Sequence, residues 1–140
     1  MKLSRTVEYA LQAALHLAKS KSGAPVPSSQ LAAAGSMPER FLLQVLRSLV
    51  NRGILNSTRG VVGGYALGRS PDEISLLDLI EAIEGPLVAG LPDTQSLPPA
   101  AVETLRKALE RAVDALRREL QALKLSHLLP NDGDDGSTAQ

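Results

Sequence analysis

In the stretch Ser36-Met37-Pro38-Glu39-Arg40-Phe41-Leu42-Leu43-Gln44-Val45-Leu46-Arg47-Ser48-Leu49-Val50-Asn51-Arg52-Gly53, apolar Leu42, Val45, Leu46, Leu49 and Val50 recur at three- and four-residue steps. That period predicts one buried helical face. Arg40, Leu43, Gln44, Arg47 and Asn51 fall largely outside it. Ser36 is placed to cap a backbone amide with Glu39 answering three residues later, proline is tolerated in a first turn, and Gly53 stops the helix. Immediately upstream, a shorter helix is expected from about Ser28 to Ala34, ended by Gly35. A short helix, a tight turn and a longer capped helix over 28–53 is the layout of a helix-turn-helix, whose second helix offers its N-terminal and outward side chains to base edges in the major groove.

On the N-terminal side, Leu3, Val7, Ala10, Leu11, Ala14 and Ala18 mark an amphipathic helix over 3–20, broken by the Pro- and Gly-bearing stretch 19–27. On the C-terminal side, Ile54–Arg59 and Tyr65–Arg69 read as two short strands around the glycine-bearing loop 60–64, a β-hairpin. A hairpin attached to a helix-turn-helix is a wing. The Gly63-Gly64 pair also suggests a phosphate cradle, but that needs a helix after the loop and either a lysine in place or GxGxxG spacing, and neither is present. A helix over 75–84 carries Leu76, Leu79, Ile80 and Ile83 as its stripe, with Asp78, Glu81 and Glu84 as a solvated face, and Gly85-Pro86 ends it.

Residues 85–97 form a linker or sensor-like loop, and a long helix from about Pro98 to Lys124, with Ser96 as its cap, aligns Val102, Leu105, Leu109, Ala112, Leu116, Leu120 and Leu123 along one seam. Glu103/Lys107 and Asp114/Arg118 are spaced to pair on its solvated side. Such a rod is about 38 Å long, more than the small globular part covers, so a partner helix is expected against the seam. Ser126–Leu129 is expected to add a final turn. The predicted organisation is a mainly α chain: a winged helix-turn-helix DNA-binding domain over 1–84, the loop 85–97, a dimerisation helix over 98–129, and a disordered tail over 130–140, which has almost no apolar residues.

Composition narrows the function. The 140 residues suit one domain, and 25 Leu and 18 Ala against three aromatics (Tyr9, Phe41 and Tyr65) favour helix. Tyr9 is expected half-buried between helices, and Tyr65 packing the wing onto them. The chain has no cysteine and two histidines, which excludes a disulfide scaffold, a thiolate zinc site and a thiolate-held iron–sulfur cluster. Neither a signal-peptide core nor a long apolar run occurs, so a soluble, cytoplasmic protein without a membrane partner is expected. The net charge of zero conceals an asymmetry: residues 1–70 hold nine cations against two anions, a net +7, and residues 71–140 six cations against thirteen anions, a net −7. A basic half of this kind suits a polyanion. Neither a nucleophile–base pair nor a catalytic carboxylate cluster emerges, and His16 has no ligand set near it, so no enzyme is expected.

Met1-Lys2-Leu3-Ser4 through Tyr9-Ala10, Phe41-Leu42 with Val45-Leu46 and Leu49, Arg52-Gly53-Ile54-Leu55, Arg59-Gly60, Gly63-Gly64-Tyr65-Ala66-Leu67, Ile74-Ser75-Leu76 and Ile83-Glu84-Gly85 follow one another in an order that resembles the bacterial Rrf-two-type winged helix-turn-helix regulators. These are relatives of the iron–sulfur cluster, nitric-oxide-sensing and cysteine-metabolism regulators. The resemblance is strong over residues 1–86 and compatible over the long helix. Many members carry three cysteines after the Glu84-Gly85 position as cluster ligands; here the corresponding segment, 86–97, has none. Some add a ligand at the position of Glu8, which without thiolates reads as a surface carboxylate.

The resemblance implies a sequence-specific, homodimeric DNA-binding regulator, most often a repressor, acting on a pseudo-palindromic operator; the missing cysteines, a departure from the family, lead to the expectation of no cofactor. It places Pro38, Glu39, Arg40, Leu43 and Gln44 in the major groove, where Arg40 suits guanine, Gln44 adenine and Leu43 a thymine methyl. Arg47 suits a phosphate, although it and Arg40 are also compatible with simple solvation. Arg59 begins the wing loop and is expected in a minor groove, with Gly60, Gly63 and Gly64 letting the backbone turn and approach. Lys2, Ser28 and Ser29, at helix N-termini, suit phosphates or ordinary capping. A small-molecule or protein effector is left open, as is a rival in which the winged helix is an adaptor that contacts protein.

Overall fold

Ser4 begins the first helix: its hydroxyl accepts the Val7 amide at 3.2 Å, and α1 runs Arg5–Lys19. The computed structural model describes residues 1–20, 22–93 and 95–130. After α1 come α2 (Ser28–Gly35), α3 (Glu39–Asn51), β1 (Leu55–Thr58), β2 (Gly64–Leu67), α4 (Leu76–Glu84) and α5 (Pro99–Ala122), with 3-10 turns at Pro71–Glu73 and Leu125–Leu128. Mainly helical with one antiparallel hairpin, this is the expected class. The tail over 131–140 lies outside the described residues.

The core is one cluster in which α1 packs on α2, α3 and α4. On α1 the buried residues are Val7, Ala10, Ala13, Ala14 and Leu17. Three alanines on that face let the neighbouring helices approach closely. Leu3 is exposed, because it precedes the cap and so lies off the helix; the buried stripe is offset accordingly. On α3, Leu42, Val45, Leu46 and Leu49 are buried as expected, with Val50 half-buried.

The turn between α2 and α3 differs from the sequence expectation. Ser36 does not cap α3; it adopts a left-handed conformation (φ 52°, ψ 41°) that closes α2, and the Met37 amide returns to the Ala32 carbonyl at 2.9 Å. Pro38 takes the N-cap place without a side-chain bond. Met37 explains the change: it is 7% exposed, and the left-handed step at Ser36 turns it into the core.

Leu55 pairs with Leu67 and Thr58 with Gly64 across the hairpin. Tyr65 then exchanges both backbone hydrogen bonds with Val26 at 2.9 Å, which stitches the wing to the segment before α2. A Cβ on Gly64 would run into the Val26 carbonyl and the Pro27 nitrogen, so only glycine allows that approach.

A reciprocal capping box opens α4: the Ser75 amide donates to Asp78 Oδ2 and the Asp78 amide to Ser75 Oγ, each at 3.0 Å. Its buried residues are Leu77, Leu79 and Ile80. The chain after α5 returns to this element, with Leu76 donating to the Leu123 carbonyl (2.9 Å) and Leu125 to the Ile74 carbonyl (2.8 Å), and Leu125 enters the core.

Helix α5 has 24 residues, about 36 Å, and none of them is buried in the single chain. Pro98, not Ser96, is its N-cap residue. Along the seam, Leu105 is 43% and Leu109 37% exposed, Ala112 is exposed, and Val102, Leu116, Leu120 and Leu123 are half-buried. Glu103 and Lys107 pair at 3.8 Å, whereas Asp114 and Arg118 form no ion pair among the described residues.

Candidate nucleic-acid interface

The amphipathic period that buries Leu42, Val45, Leu46 and Leu49 turns the other side of α3 outward. Pro38, Glu39, Arg40, Leu43, Gln44 and Arg47 are all exposed. The start of α1 lies beside them: Arg5 and Tyr9 share with Pro38, Arg40, Phe41 and Gln44 an open hollow of about 500 Å³. Tyr9 and Phe41 meet edge to face with centroids 5.7 Å apart, and Phe41 remains 41% exposed. Sequence reasoning missed Arg5 and Phe41 as members of this surface. Phe41 is adjacent in the chain to Arg40 and one turn from Gln44, a spacing from which it could have been found.

Two ties join the other parts. Ser28 Oγ donates to Glu39 Oε1 at 3.0 Å, fixing the start of α2 against the start of α3, with Ser29 exposed beside it. While that bond is made, the Ser28 hydroxyl hydrogen is directed at Glu39. Two residues upstream, Val26 holds the base of the wing through Tyr65. The wing, the α2 N-terminus and α3 are therefore linked in one framework, and Arg59 stands exposed in the wing loop with Gly60, while Gly63 and Gly64 are half-buried. Lys2 is exposed ahead of the Ser4 cap, alongside Arg5.

Among the described residues, Arg40, Arg47 and Arg59 meet no carboxylate within 4.0 Å. Elsewhere Arg69 pairs with Asp78 at 3.6 Å, Arg106 with Glu103 and Glu110, and Arg117 with Glu81 at 2.7 Å, whereas Arg52, Arg111 and Arg118, like the three arginines of this surface, meet no carboxylate among the described residues. Arg5 is also engaged, by Glu8 at 2.7 Å. Unpaired guanidinium groups on an exposed helix and loop are free to meet phosphates or base edges.

Asp78 and Glu81 are not merely a solvated face. Asp78 belongs to the capping box, and Glu81 Oε2 receives both Arg117 Nη1 and the Leu87 amide at 2.7 Å, while the same Arg117 nitrogen donates to the Leu87 carbonyl at 3.0 Å. The Arg117 hydrogen bond holds the Glu81 carboxyl below the usual range, against burial, which acts to raise it; the Leu87 amide adds to the lowering. This clamp secures the beginning of the 85–97 segment over a hollow of about 520 Å³ lined by Pro86, Leu87, Val88, Val113 and Asp114 among others.

The match to known proteins agrees with this architecture. The family described as Rrf2, "Iron-dependent Transcriptional regulator", matches residues 3–131. The chain belongs to the Rrf2 family. Rv1287 of Mycobacterium tuberculosis, described as an HTH-type transcriptional regulator, is 36% identical over 124 residues, covering 85% of this chain and 77% of the relative. The HTH-type transcriptional regulator CymR of Bacillus subtilis is 32% identical over 121 residues, covering 85% of this chain and 88% of CymR. The solved structure of CymR, the global cysteine regulator of B. subtilis, superposes with a TM-score of 0.72 at 31% identity over 91% of this chain and 95% of that one. T. potens IscR gives 0.68 at 28% identity, over 100% and 93%.

As an Rrf2 protein, the chain is a DNA-binding transcriptional regulator of the winged-helix class, not an enzyme. The iron in the family's description does not fit its donor set. The chain contains no cysteine, and among the described residues no three His, Asp or Glu side chains gather at metal-binding distance. No helix among the described residues is long and apolar enough to cross a membrane.

Proposed function

We propose that this Rrf2 regulator binds a pseudo-palindromic operator as a homodimer, in the manner of a repressor, without a thiolate-held cluster. Arg40 and Gln44 read major-groove edges, with Leu43 against a thymine methyl; Arg47, Lys2 and Ser29 hold phosphates, and Arg59 enters the minor groove. The observation that carries this reading is the co-placement of unpaired Arg40, Arg47 and Arg59 on elements tied together through Ser28–Glu39 and Val26–Tyr65. The dimer is supported by the seam on α5: a row of leucines that a single chain leaves open is a cost that a second copy removes.

Selection of duplexes from a random pool by the purified chain, followed by binding titrations across salt concentration, tests the reading. The expected result is an inverted repeat bound in competition with random DNA, with log affinity falling linearly against log salt. Recovery of no common sequence, with only weak salt-insensitive retention, would overturn it and favour the adaptor rival.

A further inference from the structure

At the tip of the wing, Val61 is 107% and Val62 84% exposed, so both isopropyl groups stand almost wholly in water. They occupy the two central positions of a turn closed by the Gly63 amide on the Gly60 carbonyl at 3.0 Å. Such positions favour Pro, Asp, Asn, Ser or Gly, and β-branched apolar residues gain nothing there from local conformation. Nor does packing account for them, because neither valine belongs to the core cluster or to the partly buried residues against it. The turn itself is constrained: a Cβ on Gly63 would collide with the Thr58 carbonyl oxygen and the Arg59 and Gly60 backbone. The tip is therefore a two-residue apolar wedge on a turn that requires glycine at position 63, with exposed Arg59, which meets no carboxylate among the described residues, at its base.

We infer that Val61 and Val62 are the apolar part of the wing's DNA contact and lie against the deoxyribose walls of a minor groove. The inference rests on the DNA reading proposed above and names the chemistry of one part of it. A minor groove about 6 Å wide admits a hairpin tip and excludes a helix. Its walls are sugar C–H surface, and proteins that enter it combine cationic side chains with apolar wedges. Arg59 supplies the charge complementarity, since a narrow A·T-rich groove concentrates negative potential. The valines then supply a fit that depends on groove width and is indifferent to salt.

The test uses the full chain and the duplex it selects from a random pool. Val61→Thr/Val62→Thr keeps the β-branched shape and the turn while replacing one methyl of each side chain by a hydroxyl. The double variant should bind about tenfold more weakly with an unchanged salt slope, because no phosphate contact is lost. Arg59→Ala should instead lower the slope by about one. Where the wing falls on A·T pairs, replacing them with inosine·cytosine should preserve the valine effect, because no amine enters the minor groove; guanine·cytosine pairs should erase it. Affinity of the double threonine variant within twofold of wild type, while Arg59→Ala weakens binding, would overturn the inference and leave the DNA reading standing. A wild-type chain that forms no salt-sensitive complex with any duplex would overturn both.

Discussion

The hydroxyl of Ser28 and the carboxylate of Glu39, the first residues of α2 and α3, are joined at 3.0 Å, so two helix N-termini are held side by side on the cationic surface. Toward DNA, a carboxylate in that place is repelled by phosphate and can accept only from base donors, cytosine N4 above all. Glu39→Gln should therefore bind random duplex more tightly and distinguish the selected sequence from it less well, read by competition titration. Ser28→Ala should cost less than about 1 kcal/mol of stability, since the bond is near the surface.

Arg40 and Arg47 are both exposed and unpaired but one lies at the start of α3 and the other two turns on. Arg40→Ala should relax preference at one base position by about 1–3 kcal/mol. Arg47→Ala should weaken all sequences alike and reduce the salt slope by about one. Binding titrations on single-base variants of the selected duplex separate the two outcomes.

Gly64 sits against the Val26 carbonyl and the Pro27 nitrogen with φ +154°. Gly64→Ala should detach the wing from that segment at a cost of about 1–3 kcal/mol. Hydrogen exchange should quicken at the Val26 and Tyr65 amides, which bond each other's carbonyls, while the buried amides of α1 and α3 keep their protection.

Leu105 and Leu109 face water in the single chain, so changing them removes no core contact. If α5 pairs with its copy, Leu105→Asp/Leu109→Asp should yield a folded monomer by sedimentation, with helical content retained and operator affinity lost by orders of magnitude. A dimer persisting unchanged would show that the seam is not the contact.

Arg117 holds Glu81 below its ordinary value, so its ionised form is favoured by folding. That stabilisation is complete above the ordinary glutamate value of about 4.5 and drains away as pH falls through the lower native value. Arg117→Met should lose about 1 kcal/mol at pH 7, after allowance for solvent screening. The difference from wild type should shrink in urea titrations carried out below pH 4.

Periodicity along the chain was enough to separate the buried face of α3 from Arg40, Leu43, Gln44 and Arg47 and to find the open seam on α5, and the glycine-bearing loop between two short segments was enough to place the hairpin, because each is a local pattern in the chain. The order of short motifs from Tyr9-Ala10 to Glu84-Gly85 was likewise sufficient for the family. Tertiary structure decided what depends on distant partners. Ser36 turns left-handed because Met37 must reach a core built by other helices, so a locally sound capping pattern gives way. Glu81 meets Arg117 36 residues away, and Leu125, beyond the long helix, completes the core beside Ile74. A one-dimensional period records which side of an element avoids water; it carries no record of which charges or turns the packed neighbours will bring into reach.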